Sequence, residues 1–403
     1  MTAGREHIII GGGIIGVCVA LELATRGRDV VLLERGEVGG PSPMASSGVA
    51  ARMFRSAYGA DRRRTRLCSA ALRRWGDYED AAGETLIDRC GWVVFDAVAP
   101  EVRQRWPHYA QWPGPGFGTE SAAVLRDEGL PHDWLTQDQL VERYPEIARN
   151  QYYDTALVDY TAGLVRADVA VRAISRLAAR AGAEIRDHEA VEELVFHNER
   201  VDRVITAKEQ YRPTDSVILA AGCQNVVWST PLQGVVRTVG ERTLYLRPSD
   251  ASRFRPDRFP VVGHFAFPTD RVGTVHVSPG GSLDYEIEVD PRRDELGDVV
   301  EDQAVSTAFV RDTRRILETW IPGLADAQVA SQHRCYYPVT PHDDYLLFRR
   351  GNVVTLVACA SGTGFKTAPV TAEIGVELAL RADAEGPVHP HDQPAFRPEN
   401  LAP

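Results

Sequence analysis

Three glycines near the start, Gly11, Gly13 and Gly16, constrain this chain more than any other feature. They follow an apolar run at residues 7 to 10 and open a second apolar stretch that continues to about Arg26, where Gly27 stops it. The first run predicts a buried strand, and the second a helix ended by glycine. Val30 to Leu33 reads as another buried strand, closing on Glu34, 18 residues after Gly16. A strand, a Gly-x-Gly-x-x-Gly turn, a helix and a strand ending on an acid make the complete dinucleotide fingerprint. The glycines let the backbone approach a pyrophosphate, whose charge the helix N-terminus stabilises, while the carboxylate accepts from ribose hydroxyls. A tight turn with nothing bound would leave that carboxylate unexplained.

Further along, residues 61 to 82 read as an Arg-rich amphipathic helix and Gly91 to Phe95 as a strand. Residues 100 to 150 are rich in Pro, Gly and Trp, as in a substrate-side insertion, with a capping box from Thr136 to Gln139 and a helix stopping before Pro145. Asp168 to Gly182 predicts a helix with Asp168 as N-cap, and Val217 to Ala221 a buried strand. Residues 235 to 290 alternate in short runs, which favours an antiparallel sheet. A helix at about 301 to 319, a strand from Val353 to Cys359 and a helix from Pro369 to Leu380 complete the pattern, with a Pro- and His-rich extended tail after Ala382. No internal repeat is present. The expected fold is α/β (α+β overall), a Rossmann-like domain with a mainly parallel sheet plus a substrate domain built on an antiparallel sheet. The first takes residues 1–85, 151–230 and 336–385, the second 86–150 and 231–335, and 386–403 form the tail.

The 403 residues suffice for a sizeable core, and 44% apolar with 25% charged residues excludes disordered and collagen-like classes. A net charge of −11 repels polyanions, so no nucleic-acid partner is expected. Ile8 to Ala24 is apolar but contains Glu22 and lacks a basic leader, so neither a signal peptide nor a membrane span is expected. Cys18, Cys68, Cys90, Cys223, Cys335 and Cys359 show no CxxC or zinc spacing, which suits a reduced, cytoplasmic protein. His389 and His391 lack carboxylate partners, so no metal is expected. Only two of the 45 basic residues, Lys208 and Lys366, are lysine. Arginine replaces most surface lysines but cannot copy a compact ammonium in a tight site, which makes each of these two informative.

FAD and NAD share the fingerprint, and other segments choose between them. Arg52-Met53-Phe54-Arg55-Ser56-Ala57-Tyr58-Gly59, Cys335-Tyr336-Tyr337, Pro341 to Leu346 and Ser361 to Lys366 follow the fingerprint in order. With these segments the chain resembles the monomeric sarcosine oxidase and N-methyltryptophan oxidase family, FAD-dependent amine oxidoreductases of the D-amino-acid oxidase superfamily. The resemblance runs from the N-terminus to about residue 380. It implies a monomeric, FAD-dependent enzyme that oxidises the C–N bond of a small amino or imino acid to an imine by hydride transfer to flavin N5, with oxygen as acceptor and hydrogen peroxide as product.

The candidate FAD contacts are Gly11, Gly13, Ile14, Ile15, Gly16, Glu34, Arg35, Ser46, Arg52, Ala221, Gly222, Cys335, Gly362, Gly364, Phe365 and Lys366. Cys335 matches the cysteine that the family bonds to the flavin 8α-methyl, and adjacent Arg334 would favour the thiolate that this attachment needs. Lys366, after two glycines and before a helix, matches the lysine that holds the substrate carboxylate; its ammonium and the free N–H groups of that helix would favour one anion. Arg55 matches the other half of that clamp, and its planar fork suits bidentate binding. Arg52 matches the arginine nearer the isoalloxazine. Lys366, Arg55 and Arg52 are thus the catalytic candidates, and Arg55, Lys366 and Tyr337 the substrate contacts. Trp92, Tyr245, His276 and Tyr285 read more naturally as core, as do Cys18, Cys359, Cys223, Cys68 and Cys90.

Two departures bear on function. The family oxidases carry a lysine near the flavin that promotes reaction with oxygen, in the segment that here reads Gly280-Gly281-Ser282-Leu283-Asp284-Tyr285-Glu286. Thr363 stands where some members carry histidine. The first keeps open a flavin dehydrogenase with a non-oxygen acceptor. The second departs from the usual pocket, which suits a specialised biosynthetic substrate. A non-catalytic flavin protein is the third reading, but it gives no reason to keep Lys366.

Overall fold

The computed structural model describes residues 2–41, 47, 51–95, 116–150, 153–263, 275–279, 287–291, 307–340, 345–357, 362–381 and 386–388. Thr2–Ile10, Val30–Leu33 and Gln210–Leu219 run parallel at the centre of a nine-stranded sheet, with Val353–Val357 beside Gln210–Leu219 and Glu184–Arg186 beside Val30–Leu33. Ile8, Ile9, Val31, Leu32, Val217, Ile218 and Val354 are fully buried. Both faces of these strands are covered, which is why they read as unbroken apolar runs. Helix Ile14–Thr25 lies against the sheet, with helices Ala167–Arg180 and Ala368–Leu380 as neighbours. Val17, Cys18, Val19, Ala20 and Leu23 are therefore buried around much of its circumference.

The second sheet has eight strands in the order Gln328–Val339, Arg237–Arg247, Ile287–Pro291, Val275–Ser278, Val261–Gly263, Trp92–Phe95, Thr155–Asp159 and His132–Thr136. All neighbours are antiparallel except Val261–Gly263 with Trp92–Phe95. Helix Thr307–Trp320 packs Ile316, Leu317 and Trp320 onto it, and Phe95 meets the Trp320 and Tyr153 rings, each at 4.6 Å. A small sheet of Ala51–Phe54, Gly163–Arg166 and Ile87–Asp88 carries Arg52 and leads into Arg55.

Several elements differ from the expectation. Helix Ala167–Arg180 has Arg166 at its N-cap, not Asp168. Asp168 lies in the first turn, where its carboxylate favours the positive helix end and binds Arg172. Thr155–Asp159, in a range assigned to the parallel-sheet half, pairs in the antiparallel sheet, and Gln328–Val339 runs across the proposed boundary at 335/336. An apolar run fixes a buried strand but not its sheet, because pairing is chosen by partners remote in sequence. In the tail, Gly386–Val388 is an edge strand antiparallel to Leu347–Arg349. The capping box at Thr136 and Gln139 forms, and Asp61 caps helix Arg62–Ala82 by accepting from Arg64 N. The last long helix begins at Thr307; residues 301–306, like 358–361, lie outside the described residues.

Candidate functional site

The glycine turn is built so tightly that side chains cannot enter it. Gly11 has φ +109°, and a Cβ there would lie 2.6 Å from Ala220 O; one on Gly16 would lie 1.9 Å from Gly11 O. Such contacts demand glycine and leave the N-terminus of helix Ile14–Thr25 facing the strand ends. Glu34 is held there by both oxygens: Gly12 N–H donates to Oε2 at 2.7 Å and Gly36 N–H to Oε1 at 2.8 Å. Ile14 N–H donates to Ser47 Oγ at 3.3 Å, Ile15 is half-buried, and Ser46 lies outside the described residues.

Ala221 and Gly222 close the same end from Gln210–Leu219. Ala221 N–H donates to Asn225 Oδ1 at 2.8 Å, and Asn225 Nδ2 donates to Leu356 O at 3.0 Å, which ties that turn to Val353–Val357. Asn225 escaped the sequence reading because an asparagine after a Gly-Cys turn carries no spacing signal. Exposed Arg35 opposes, by its charge, the burial that pushes the Cys223 thiol up to about 11. The cradle left bare of Cβ atoms, with a fixed carboxylate beside it, fits the pyrophosphate and ribose of FAD.

A second group of sequence-predicted residues gathers around Tyr58. The Arg55 guanidinium carbon lies 4.4 Å from the Tyr58 ring centroid, 4.5 Å from that of Trp92 and 5.7 Å from that of Phe117, and Arg55 is only 9% exposed. Lys366 is 3% exposed, and its Nζ lies 5.7 Å from the same Tyr58 centroid. Lys208, the other lysine, is exposed. Arg64, which also pairs with Asp61, stands 5.5 Å from the Tyr58 ring as well. Three cations around one buried phenol make a strongly anion-favouring spot. Burial raises the Tyr58 hydroxyl well above its ordinary range, so the phenol stays neutral there. Neighbouring Cys68 is pushed up to about 11 by burial, with the Lys366 charge opposing, and stays a thiol.

Local packing fixes both cations. Trp75 Nε1 donates to Lys366 O at 2.8 Å, and Phe365 stacks on Trp75 with centroids 6.0 Å apart. Gly362 has φ +85°, and Lys366 Nζ turns back to Gly362 O at 3.3 Å. Tyr345 OH donates to Thr363 Oγ1 at 3.2 Å and meets Thr367 Oγ1 at 2.9 Å. One detail corrects the sequence expectation. Thr367 and Ala368 N–H already donate to Thr363 O and Phe365 O, and Pro369 has no N–H, so these three positions offer no free N–H to an anion beside the ammonium. The peptide after Arg55 is anchored by Asp159, whose Oδ2 accepts from Ser56 and Ala57 N–H at 2.9 and 3.0 Å. An acid closing an apolar strand, the signal that singled out Glu34, would also have singled out Asp159.

Arg52, on Ala51–Phe54, acts electrostatically on His333: burial first, then the Arg52 charge, lowers that imidazole below its ordinary value. Arg52 thus stands near Gln328–Val339, on which Cys335 pairs with Glu241 and Tyr337 with Val239. The side chains of Arg334 and Cys335, and residues 280–286, lie outside what is described. Trp92, read as core, is fully buried and also walls Arg55; Tyr245 is buried, and of His276 only the backbone is described. Among the described residues no helix is long and apolar enough to cross a membrane, and no group of three or more His, Cys, Asp or Glu could hold a metal ion.

The chain is 26% identical over 391 residues to mouse peroxisomal sarcosine oxidase, covering 93% of this chain and 92% of that one. It is 24% identical to N-methyl-L-tryptophan oxidase of Yersinia pestis over 391 residues, covering 93% and 94%. Among solved structures it shares its fold with L-proline dehydrogenase from P. horikoshii (TM-score 0.77, 20% identity, 94% of each chain). It shares it equally with NikD, an unusual amino acid oxidase essential for nikkomycin biosynthesis (TM-score 0.77, 21% identity, 100% of this chain and 98% of that one). The model of the family described as FAD dependent oxidoreductase matches residues 6–378, nearly the whole chain, so this protein is an enzyme belonging to the FAD dependent oxidoreductase family.

Proposed function

We propose that the protein oxidises the C–N bond of a small amino or imino acid, with Arg55 and Lys366 clamping the substrate carboxylate. The observation that carries this reading is the pair of buried cations on one aromatic ring, 4.4 and 5.7 Å from its centroid. A guanidinium fork suits a planar carboxylate bidentately, and the ammonium adds a compact second cation. Bound FAD, held by Gly11, Gly13, Gly16, Glu34, Ala221 and Gly222, supplies the hydride acceptor. The same two cations disfavour a protonated substrate nitrogen, and hydride departure requires the neutral amine, so turnover rises with pH until the bound amine has lost its proton. Cys335 would carry a covalent bond to the flavin, and Arg52 would contribute a positive charge near the bound cofactor. Oxygen is the acceptor in this reading, the protein is a cytoplasmic monomer, and the substrate belongs to a specialised biosynthetic route.

A second reading, a dehydrogenase with another acceptor, is favoured by one observation: residues 280–286 contain no lysine. Anaerobic mixing of the purified yellow protein with a panel of amino and imino acids tests what both share. Bleaching by one of them is the expected result. A flavin that none of them bleaches overturns the reading in favour of a non-catalytic flavin protein.

A further inference from the structure

Asp159 is fully buried, yet nothing in the chemistry proposed above uses it. Its carboxylate is completely engaged: Oδ2 accepts from Ser56 and Ala57 N–H at 2.9 and 3.0 Å, and Oδ1 accepts from Thr161 N–H at 2.9 Å and Thr161 Oγ1 at 2.6 Å. Two of these donors are the peptide groups directly after Arg55. In the antiparallel sheet the Asp159 backbone pairs opposite Trp92, whose ring centroid lies 4.5 Å from the guanidinium. One residue therefore ties down the chain that carries Arg55 through its side chain, and one wall of the Arg55 cage through its strand register. A long arginine side chain has many rotamers, and a bidentate contact needs its fork held at a defined place and angle. Backbone N–H bonds to a buried carboxyl supply that rigidity.

We propose that Asp159 is a positioning residue that presets Arg55 for the substrate carboxylate, an inference resting on the clamp reading above. Asparagine can keep its oxygen toward Ser56 and Ala57, but its NH2 then opposes the Thr161 N–H, so Asp159→Asn is a partial loss. Asp159→Ala removes all four bonds. Both variants are loaded with FAD and titrated with acetate and benzoate by flavin absorbance, alongside Arg55→Met. Carboxylate affinity is expected to fall at least tenfold in Asp159→Ala and severalfold in Asp159→Asn, with KM rising more than kcat falls and FAD affinity unchanged. A merely structural role would lower the folded fraction without changing the affinity of the folded, flavin-loaded protein. Asp159 variants that bind both carboxylates within twofold of wild type, while Arg55→Met has lost affinity, overturn this inference alone. Unchanged binding in Arg55→Met overturns the clamp itself. Should the alanine variant not fold, the asparagine variant decides.

Discussion

Replacing Lys366 by methionine separates what the ammonium does for binding from what it costs the fold. Methionine keeps a straight stem of similar length and removes the charge. The Lys366 ammonium is 3% exposed, on Gly362 O at 3.3 Å and beside the Tyr58 ring. A charge-assisted hydrogen bond to a carboxylate contributes about 1.5–3 kcal/mol, so removing it weakens binding roughly ten- to a hundredfold. Taking an ammonium out of water costs several kcal/mol before its contacts are counted, which offsets what those contacts contribute, so Lys366→Met should lower stability less than Arg55→Met does. Arg55→Met should lose similar affinity and more stability. Its guanidinium lies 4.4 and 4.5 Å from the Tyr58 and Trp92 centroids, and desolvated cation–π contacts are worth about 0.5–2 kcal/mol each. Titration of flavin absorbance with acetate or benzoate reads the affinity, and thermal unfolding reads the stability. Unchanged carboxylate affinity in both variants would refute the clamp, and a Lys366→Met protein less stable than Arg55→Met would refute the electrostatic argument for the buried ammonium.

Three further outcomes are expected. If Cys335 bonds the flavin, the yellow colour stays with acid-precipitated protein, Cys335→Ala releases its FAD to the supernatant, and that variant still binds FAD because the glycine turn and Glu34 lie elsewhere in the chain. With no lysine in 280–286 to stabilise the charge formed as oxygen takes an electron, stopped-flow mixing of pre-reduced enzyme with oxygenated buffer should show slow reoxidation; a fast, saturating step would put the oxidase ahead of the dehydrogenase. Burial, partly opposed by Asp215, lowers the His7 imidazole below its ordinary 6.5, so the unfolded chain binds the proton more readily. The stability from this site is present above pH 6.5 and lost as pH falls from there toward the folded value; His7→Gln should flatten that part of a urea midpoint-against-pH plot, and an unchanged slope would remove His7 as its source.

The two ends of the proposed site were legible in the sequence to different depths. Gly11 and Gly16 were readable because the turn itself demands them, Gly11 having φ +109° and a Cβ on Gly16 lying 1.9 Å from Gly11 O, and Glu34 was readable as the acid closing the next apolar strand. Lys366 stood out because arginine had replaced nearly every other lysine, and the structure finds it buried while Lys208 is exposed. The unbroken apolar strands, the capping box at Thr136 and Gly27, which follows helix Ile14–Thr25 with φ +73°, are equally local, and all three form. What the sequence could not supply depends on segments far apart in the chain. Phe117 and Trp92 come to Arg55 from different elements, and Thr155–Asp159 joins the antiparallel sheet by pairing with Trp92–Phe95, more than sixty residues upstream. Asp159 therefore reaches the Arg55 peptide only because that sheet forms. The arrest of the Thr367 and Ala368 N–H groups inside their own turn likewise follows from backbone geometry that residue types do not encode. Glycine and charge chemistry act within a few residues and can be read in order, whereas a cage around a guanidinium is assembled by sheet pairing and exists only in the folded chain.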